Sequence, residues 1–229
     1  MKGIYELRPC FPKHNSIWNL ATVFNYFRNQ KGATELSLMD LSLKVAFLLC
    51  LLSGQRCQTI SFLDLKEMDL LEDRYVFCIK EKLKQSRAGY HIKPLEFMKY
   101  PAEENLCIYT HLQEYIKRTE NIRLLNTKLL ISFTKPHCPI SKDTLARWVK
   151  SFLSSAGFDT HKFTAHSTRA ASSSHLAQRN FSITDIIGAV GWKSEQTFQK
   201  FYNKSQEHFN FGNCILETVN STASSSLDA

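Results

Sequence analysis

His166-Ser167-Thr168-Arg169 is the segment of this 229-residue chain whose residue types and spacing best fit chemistry. Thr164 is a helix N-cap candidate just ahead of it, so the three-residue spacing sets imidazole and guanidinium on one face of a first helical turn. The helix dipole is positive there, and such a face suits a phosphate. Standing alone, the tetrapeptide would read as a surface arginine beside a half-buried histidine. It has company. Downstream runs GWKSEQTFQKFYNK, with Gly191 and Trp192 at a turn between two helices and Tyr202 near the end of the second. Upstream, a long apolar helix gives way to SGQR with Arg56, and between the two lies KEKLKQSRAG with Lys82 and Lys84.

Other chemistries lack their residues. The eight histidines include no H-E-x-x-H, and the carboxylates form no D-x-D or E-x-x-H cluster, so no metal site is expected. Without a G-x-x-x-x-G-K-[ST] loop or a G-x-G-x-x-G turn, no nucleotide cofactor is expected either. G-x-S-x-G is also missing. Seven scattered cysteines with no C-x-x-C pair argue against a disulfide framework or zinc ribbon and fit a reducing intracellular compartment. The most apolar stretch, residues 45–52, is far short of the roughly 20 residues that span a bilayer, and MKGIYELRPC has no signal core. The chain carries a net charge of +8, and residues 1–204 hold all 29 basic residues against 18 acidic ones, so that body attracts polyanions.

The elements that must position these residues follow from periodicity and caps. Helical spacing predicts helices over residues 16–30, 37–52, 58–65 and 105–118, then 141–156, 165–178, 183–190 and 195–203. Ser141, Thr164, Ser182 and Ser194 are the cap candidates for the last four. Residues 75–79 and 90–95 are β-prone runs around the basic loop, which predicts a hairpin, and residues 129–133 make a short strand candidate. The expected fold class is mainly α with a small β-hairpin or sheet.

In this order and spacing the motifs resemble those of the tyrosine recombinases, the phage-integrase-like DNA breaking-rejoining enzymes. That family's catalytic domain carries an early Arg, a β-hairpin Lys, H-x-x-R, a His or Trp after Gly, and a Tyr nucleophile 33 residues beyond the H-x-x-R arginine in this chain. The style of SGQR, KQSRAG and GWKSEQTFQKFY is nearest to the Crypton and DIRS-like recombinases of mobile elements. Two positions depart from the family pattern: Thr59 stands where many members have an acidic residue, and Trp192 precedes Tyr202 by ten residues where nine is common. The resemblance implies a lead-in over residues 1–15, a catalytic domain over 16–204, a C-terminal helix over 205–219 and a disordered tail over 220–229.

It also implies roles. Arg56, His166, Arg169 and Trp192 would hold the scissile phosphate, Tyr202 would attack it to leave a 3′-phosphotyrosine, and Lys84, with Lys82 in reserve, would protonate the departing 5′-oxygen. Lys80, Lys82, Arg87, Lys93 and Lys193 would grip the DNA backbone. No metal, ATP or other cofactor is implied. The expected partners are double-stranded DNA and further copies of the chain in a synaptic tetramer, with no membrane and with nuclear residence if the source is eukaryotic. Residues 182–203 can alternatively be read as a helix-turn-helix that binds DNA without chemistry, and a type IB topoisomerase would use similar residues.

Overall fold

The computed structural model describes residues 17–83, 86, 89, 91–192 and 194–201. In chain order these form α1 (Leu20–Arg28), α2 (Leu38–Ser53) and α3 (Cys57–Ser61). A sheet of β1 (Met68–Leu70), β2 (Arg74–Phe77) and β3 (Leu95–Met98) follows, then α4 (Ile108–Thr119), α5 (Lys142–Ser155), α6 (Ala165–Gln178), α7 (Ile183–Val190) and α8 (Glu195–Phe201). The expected class holds: a mainly helical body with one small antiparallel sheet, ordered β1-β2-β3. Among the described residues no helix is long and apolar enough to cross a membrane.

Helix α2 is apolar nearly all round, so it has to be enclosed. Ten of its sixteen residues are buried, and it packs against α4, α5, α6 and β3. Ser37 starts it by accepting a hydrogen bond from the Asp40 amide at 3.1 Å. Gly54 ends it with φ +60°, a left-handed conformation that costs glycine little. At its centre Phe47 stacks on Phe152 of α5 at 4.3 Å and meets Trp18 and Phe27 at 6.0 and 5.9 Å. This large core takes in the sheet as well. A second, smaller cluster holds Ile17, Ala170, Ile186, Val190, Trp192 and Phe198 beneath α7 and α8.

Several expected boundaries shift for identifiable reasons. The first helix begins at Leu20, because Asn19 caps it by accepting from the Ala21 amide at 2.8 Å, while Ile17 and Trp18 are buried ahead of it. The helix expected over 58–65 is the shorter α3, after which Asp64 leaves to pair with Lys128. The return strand starts at Leu95, not at residue 90, since Pro94 has no amide to donate to a ladder. Its partner is Arg74–Phe77, and β1 adds an edge strand that the sequence pattern did not predict. Residues 129–133 form no strand, only a bridge between Ile131 and Pro139, yet Leu129, Leu130 and Ile131 are buried.

Lys44 and His111 are basic side chains buried within the large core. Lys44 Nζ sits over the Phe27 ring, 5.3 Å from its centroid, with no hydrogen-bond partner, and burial pushes it down to about 8. His111 meets the Cys107 carbonyl through Nδ1 at 2.8 Å, while burial first and the Lys44 charge second push it down to about 4. Between pH 6.5 and 4 the unfolded chain therefore takes up a proton at His111 that the native chain refuses, and stability falls as the solution is acidified. The expected loss over that window is up to about 3 kcal/mol. Urea unfolding of wild type and His111→Asn across pH 4 to 7 checks this: the acid-side slope should flatten in the variant, and an unchanged slope would contradict it.

Candidate active site

Helix α7 ends with carbonyls that have no partner within the helix, as every helix must. Two of them organise the site. The Ala189 carbonyl accepts from Gln55 Nε2 at 3.0 Å, and the next carbonyl, Val190, accepts from an Arg169 terminal nitrogen at 3.0 Å. The carbonyl of Ile187 is taken by the amides of Gly191 and Trp192 at 2.9 and 3.0 Å, with Gly191 at φ +73° turning the chain out of the helix. The turn delivers Trp192 to Arg169, whose guanidinium carbon lies 4.7 Å from the indole centroid. Negative dipole charge at the helix end and the electron-rich indole face both favour a cation there.

The turn that carries Arg56 is seated on the same terminus. Arg56 is the N-cap of α3, directly after Gln55, and it is half-buried. Gly54 packs so closely that a Cβ built on it would meet Val190 Cγ2 at 3.3 Å and Cγ1 at 3.5 Å. The α2–α3 turn is thus seated on Val190 by one residue and hydrogen-bonded to Ala189 by the next. Thr59, on α3, is buried.

Helix α6, AHSTRAASSSHLAQ, supplies both remaining motif residues. Its small side chains, with Ala170, Ala171, Ser173 and Ser174 buried, let it lie close to α2 and α5. Its hydroxyls are satisfied by its own turns: Ser167 gives to the Thr164 carbonyl at 2.6 Å, Thr168 to Ala165 at 2.7 Å and Ser173 to Arg169 at 2.7 Å. Thr164 occupies the expected N-cap position without a side-chain cap bond. Arg169 is 1% exposed, whereas His166, one turn earlier on the same helix, is exposed. Ser167, between them, accepts from Trp18 Nε1 at 2.9 Å and anchors the start of α6 to the segment before α1.

The loop between β2 and β3 carries the other basic residues. His91 ties it together, with Nε2 on the Ile79 carbonyl and Nδ1 3.3 Å from Ser86 Oγ, which in turn accepts from the Leu83 amide at 2.9 Å. Lys128 holds its base through Glu81 and, at 3.4 Å, Asp64. Burial works to lower the Lys128 ammonium, but Glu81 and Asp64 hold it above the ordinary lysine range. Lys82 and Lys93 are exposed, and Lys80 pairs with Glu67 while staying 73% exposed. A groove of about 260 Å³ runs from Ser53 past Lys93 and Pro94 to Gly188 and Ala189, so the outgoing side of the loop flanks the same α7 terminus.

Of the predicted site residues, Arg169 and Trp192 therefore meet at residues 190–192, the turn that carries Arg56 is seated on Ala189 and Val190, and His166 lies on the helix that carries Arg169. Lys84, Arg87, Lys193, Tyr202 and the C-terminal helix over 208–219 lie outside the described residues, as does the lead-in over 1–15. Sequence reasoning passed over Gln55 and the His91 and Lys128 ties. SGQR was legible as a motif for its arginine, but nothing in it says that Gln55 bonds a carbonyl 134 residues away. Among the described residues, His, Cys, Asp and Glu side chains nowhere gather in threes as a metal would need.

A helical body with a small antiparallel sheet, carrying H-x-x-R on one helix and an arginine turn facing it, is the tyrosine recombinase catalytic fold. Residues 27–208 match the phage integrase family model, and the chain belongs to that family. Among solved structures it is similar to the XerA recombinase, with 16% identity and a TM-score of 0.60 over 95% of this chain and 67% of that one. It is similar to the XerH site-specific recombinase bound to its difH substrate in a pre-cleavage complex, with 17% identity and a TM-score of 0.62 over 92% of this chain and 55% of that one. A lambda integrase dimer bound to a COC′ core site gives 16% identity and a TM-score of 0.53 over 92% and 66%. The chain thus spans between about half and two thirds of the length of these recombinases. No curated protein matches it in sequence.

The close seating of Gly54 on Val190 predicts that Gly54→Ala is harmful in two ways. Left-handed φ costs an alanine about 1–2 kcal/mol, and the new methyl pushes on Val190. Urea unfolding should show a loss of at least that size. In a Val190→Ala background, which has its own cavity cost, Gly54→Ala should lose less than in wild type but still the backbone part, and no loss in that background would show that φ contributes nothing.

Proposed function

We propose that this chain cleaves and rejoins double-stranded DNA at specific sites through a covalent 3′-phosphotyrosine, with Tyr202 as nucleophile. The observation that carries the proposal is that Arg169 and Trp192 meet at one helix terminus on which the turn carrying Arg56 is also seated, in a chain of the phage integrase family. A phosphodiester gains negative charge on its non-bridging oxygens as a nucleophile adds, and fixed cations and donors stabilise that charge. Guanidinium stays charged at any working pH and grips oxygens in a fork, which suits Arg56 and Arg169. Trp192 contributes an indole donor and a flat wall.

Tyr202 follows Phe201, the last residue of α8, in sequence. An ordinary phenol has a pKa of about 10, so Tyr202 must shed its proton as it attacks, and His166 either takes that proton or holds the phosphate as a donor. The phosphotyrosine conserves the energy of the broken bond, so a 5′-hydroxyl of another strand reverses the step without ATP. Lys84 on the hairpin loop protonates the departing 5′-oxygen, with Lys82 as the alternative donor. Lys80, Lys82, Arg87, Lys93 and Lys193 bind the duplex backbone, for which the Lys80–Glu67 pair is exposed enough to be exchanged for a phosphate. Self-association on DNA accompanies the reaction, a reading supported by the similar lambda integrase dimer bound to a core site.

The test uses a nicked duplex carrying the sequence that the protein selects from a randomised pool. Wild type should give a protein–DNA adduct that survives SDS. Tyr202→Phe should give none while binding the duplex nearly as well, and Arg169→Ala should slow adduct formation by about 10²–10³-fold. Tight binding with no adduct from wild type would leave a DNA-binding module. Relaxation of supercoils without strand exchange would instead mark a type IB topoisomerase.

A further inference from the structure

The two lysines that can protonate the departing 5′-oxygen, Lys82 and Lys84, stand on either side of Leu83 in the chain. Leu83 is held three ways. It is 4% exposed and belongs to the large core, as do Ile79 and Ile92 on the two sides of the loop. Its amide donates to Ser86 Oγ at 2.9 Å, and its carbonyl accepts from the Ser86 amide at 3.0 Å. Ser86 Oγ in turn lies 3.3 Å from Nδ1 of His91, whose Nε2 reaches the Ile79 carbonyl across the loop. We propose that His91 is a positioning residue for DNA cleavage: through Ser86 and Leu83 it fixes the place from which the loop lysine delivers its proton. This rests on the function proposed above and names a support that its proton donor requires.

The hydrogens along this chain of bonds run one way. A carbonyl oxygen only accepts, so His91 Nε2 carries a hydrogen and donates it to Ile79. With the hydrogen on Nε2, Nδ1 is a lone-pair acceptor. Ser86 Oγ already accepts from the Leu83 amide, and its own hydrogen is left for Nδ1. Both ring nitrogens are thus engaged, although His91 is exposed. Bonds in contact with water add little to global stability, so their use lies in where they place the Leu83 turn and not in holding the fold. Glutamine at position 91 would keep a donor for Ile79 and lose the acceptor for Ser86, whereas alanine would lose both.

Proton delivery is the part of the reaction that needs such placement. In the cleavage step the Tyr202 oxygen bonds to phosphorus and the bond from phosphorus to the 5′-oxygen breaks. That oxygen takes a proton from the lysine ammonium, which becomes an amine, while the phenol's own proton goes to His166 or to water. An alkoxide leaves badly unless it is protonated as the bond breaks, so the donor has to be within hydrogen-bond reach at that moment. Lysine is a point charge on a flexible four-carbon stem, and only a fixed backbone limits where its ammonium can be. Exposed Lys82 follows Glu81, which Lys128 holds, and precedes Leu83, which Ser86 and His91 hold. A misplacement of about 1 Å can cost about 10²-fold in rate.

The leaving group separates positioning from stability. A duplex with sulfur in place of the bridging 5′-oxygen, at the phosphate where wild type forms its adduct, releases a thiolate, which needs no proton because a thiol has a pKa of about 8.5. On the oxygen duplex His91→Ala should form adduct about 10–10²-fold more slowly than wild type, and on the sulfur duplex the two should run alike. Ser86→Ala should show the same pattern with a smaller loss, and His91→Gln should fall between His91→Ala and wild type. Lys82→Ala and Lys84→Ala, run alongside, identify the donor as the lysine whose loss sulfur repairs. With no DNA present, hydrogen exchange at the Leu83 amide should be faster in His91→Ala and Ser86→Ala, while the urea midpoints of both stay at the wild-type value. Equal losses on the two duplexes overturn the proposal, as does a wild-type rate for His91→Ala on oxygen or unchanged exchange at Leu83. If sulfur repairs neither lysine variant, the loop lysine is not the donor and the proposal falls with it; if it repairs one of them but not His91→Ala, the donor stands and His91 alone is overturned. Failure of wild type to make an adduct on either duplex falls on the recombinase reading, and exchange at Leu83 still decides whether His91 holds the turn.

Discussion

The site depends on how the C-terminus of α7 is satisfied. A helix must leave its last carbonyls for outside donors, and a buried carbonyl without one costs about 1–3 kcal/mol. Here the donors are side chains from two distant parts of the chain, Gln55 on Ala189 and Arg169 on Val190. The requirement to satisfy those groups is therefore also the device that brings the α2–α3 turn and α6 to one place. Gly191 completes it by turning Trp192 back over Arg169, so that one guanidinium meets a helix terminus and an aromatic face together.

Two packing units support this junction. The large core fixes α2 and α6 through Phe47, Phe152 and the small-residue face of α6, and so sets where Arg56 and Arg169 emerge. The smaller cluster around Ile186, Val190, Trp192 and Phe198 holds α7 and α8, and the site lies on the seam between the two. Val190 belongs to the smaller cluster and packs against Gly54, the C-cap of the helix at the centre of the larger, so it helps to couple them. The hairpin loop is tied separately, by His91 across its neck and by Lys128 at its base, which lets its lysines project from a fixed origin.

Much of this was legible beforehand, and the pattern of what was not is instructive. Periodic helices with good caps declared themselves: Ser141 and Ser182 each accept from the amide three residues on, as their positions imply. Arg56, Arg169 and Trp192 were legible as motifs, because recognition of phosphate restricts residue type. Gln55 and Gly54 were not, because their meaning lies in partners more than a hundred residues away, and a glutamine or glycine in a turn has many uses. The sheet was half legible. Tyr75 and Phe77 alternate as a strand should, but three-residue β1 carries too little pattern to be seen, and the weight of Pro94 in delaying β3 was missed.

The chain also contains the comparison that explains why the floor of the site is arginine. It buries a lysine, Lys44, inside the large core with only an aromatic face for company, and burial alone brings that ammonium down to about 8, near the point where it begins to lose its charge. It buries a guanidinium, Arg123, whose nitrogens reach Thr119 Oγ1 and the carbonyls of Lys128 and Leu129, so its delocalised charge is met by several acceptors. Arg169 is as deeply buried as either, at 1% exposure. A lysine there could not span both the Val190 carbonyl and the Trp192 face, and would be driven toward neutrality by the burial that acts on Lys44. Guanidinium keeps its charge and has donors pointing in several directions, so one can serve the fold while the cation remains for a phosphate. A buried cation that must stay charged is a task for which the fork of an arginine is suited and the single ammonium of a lysine is not.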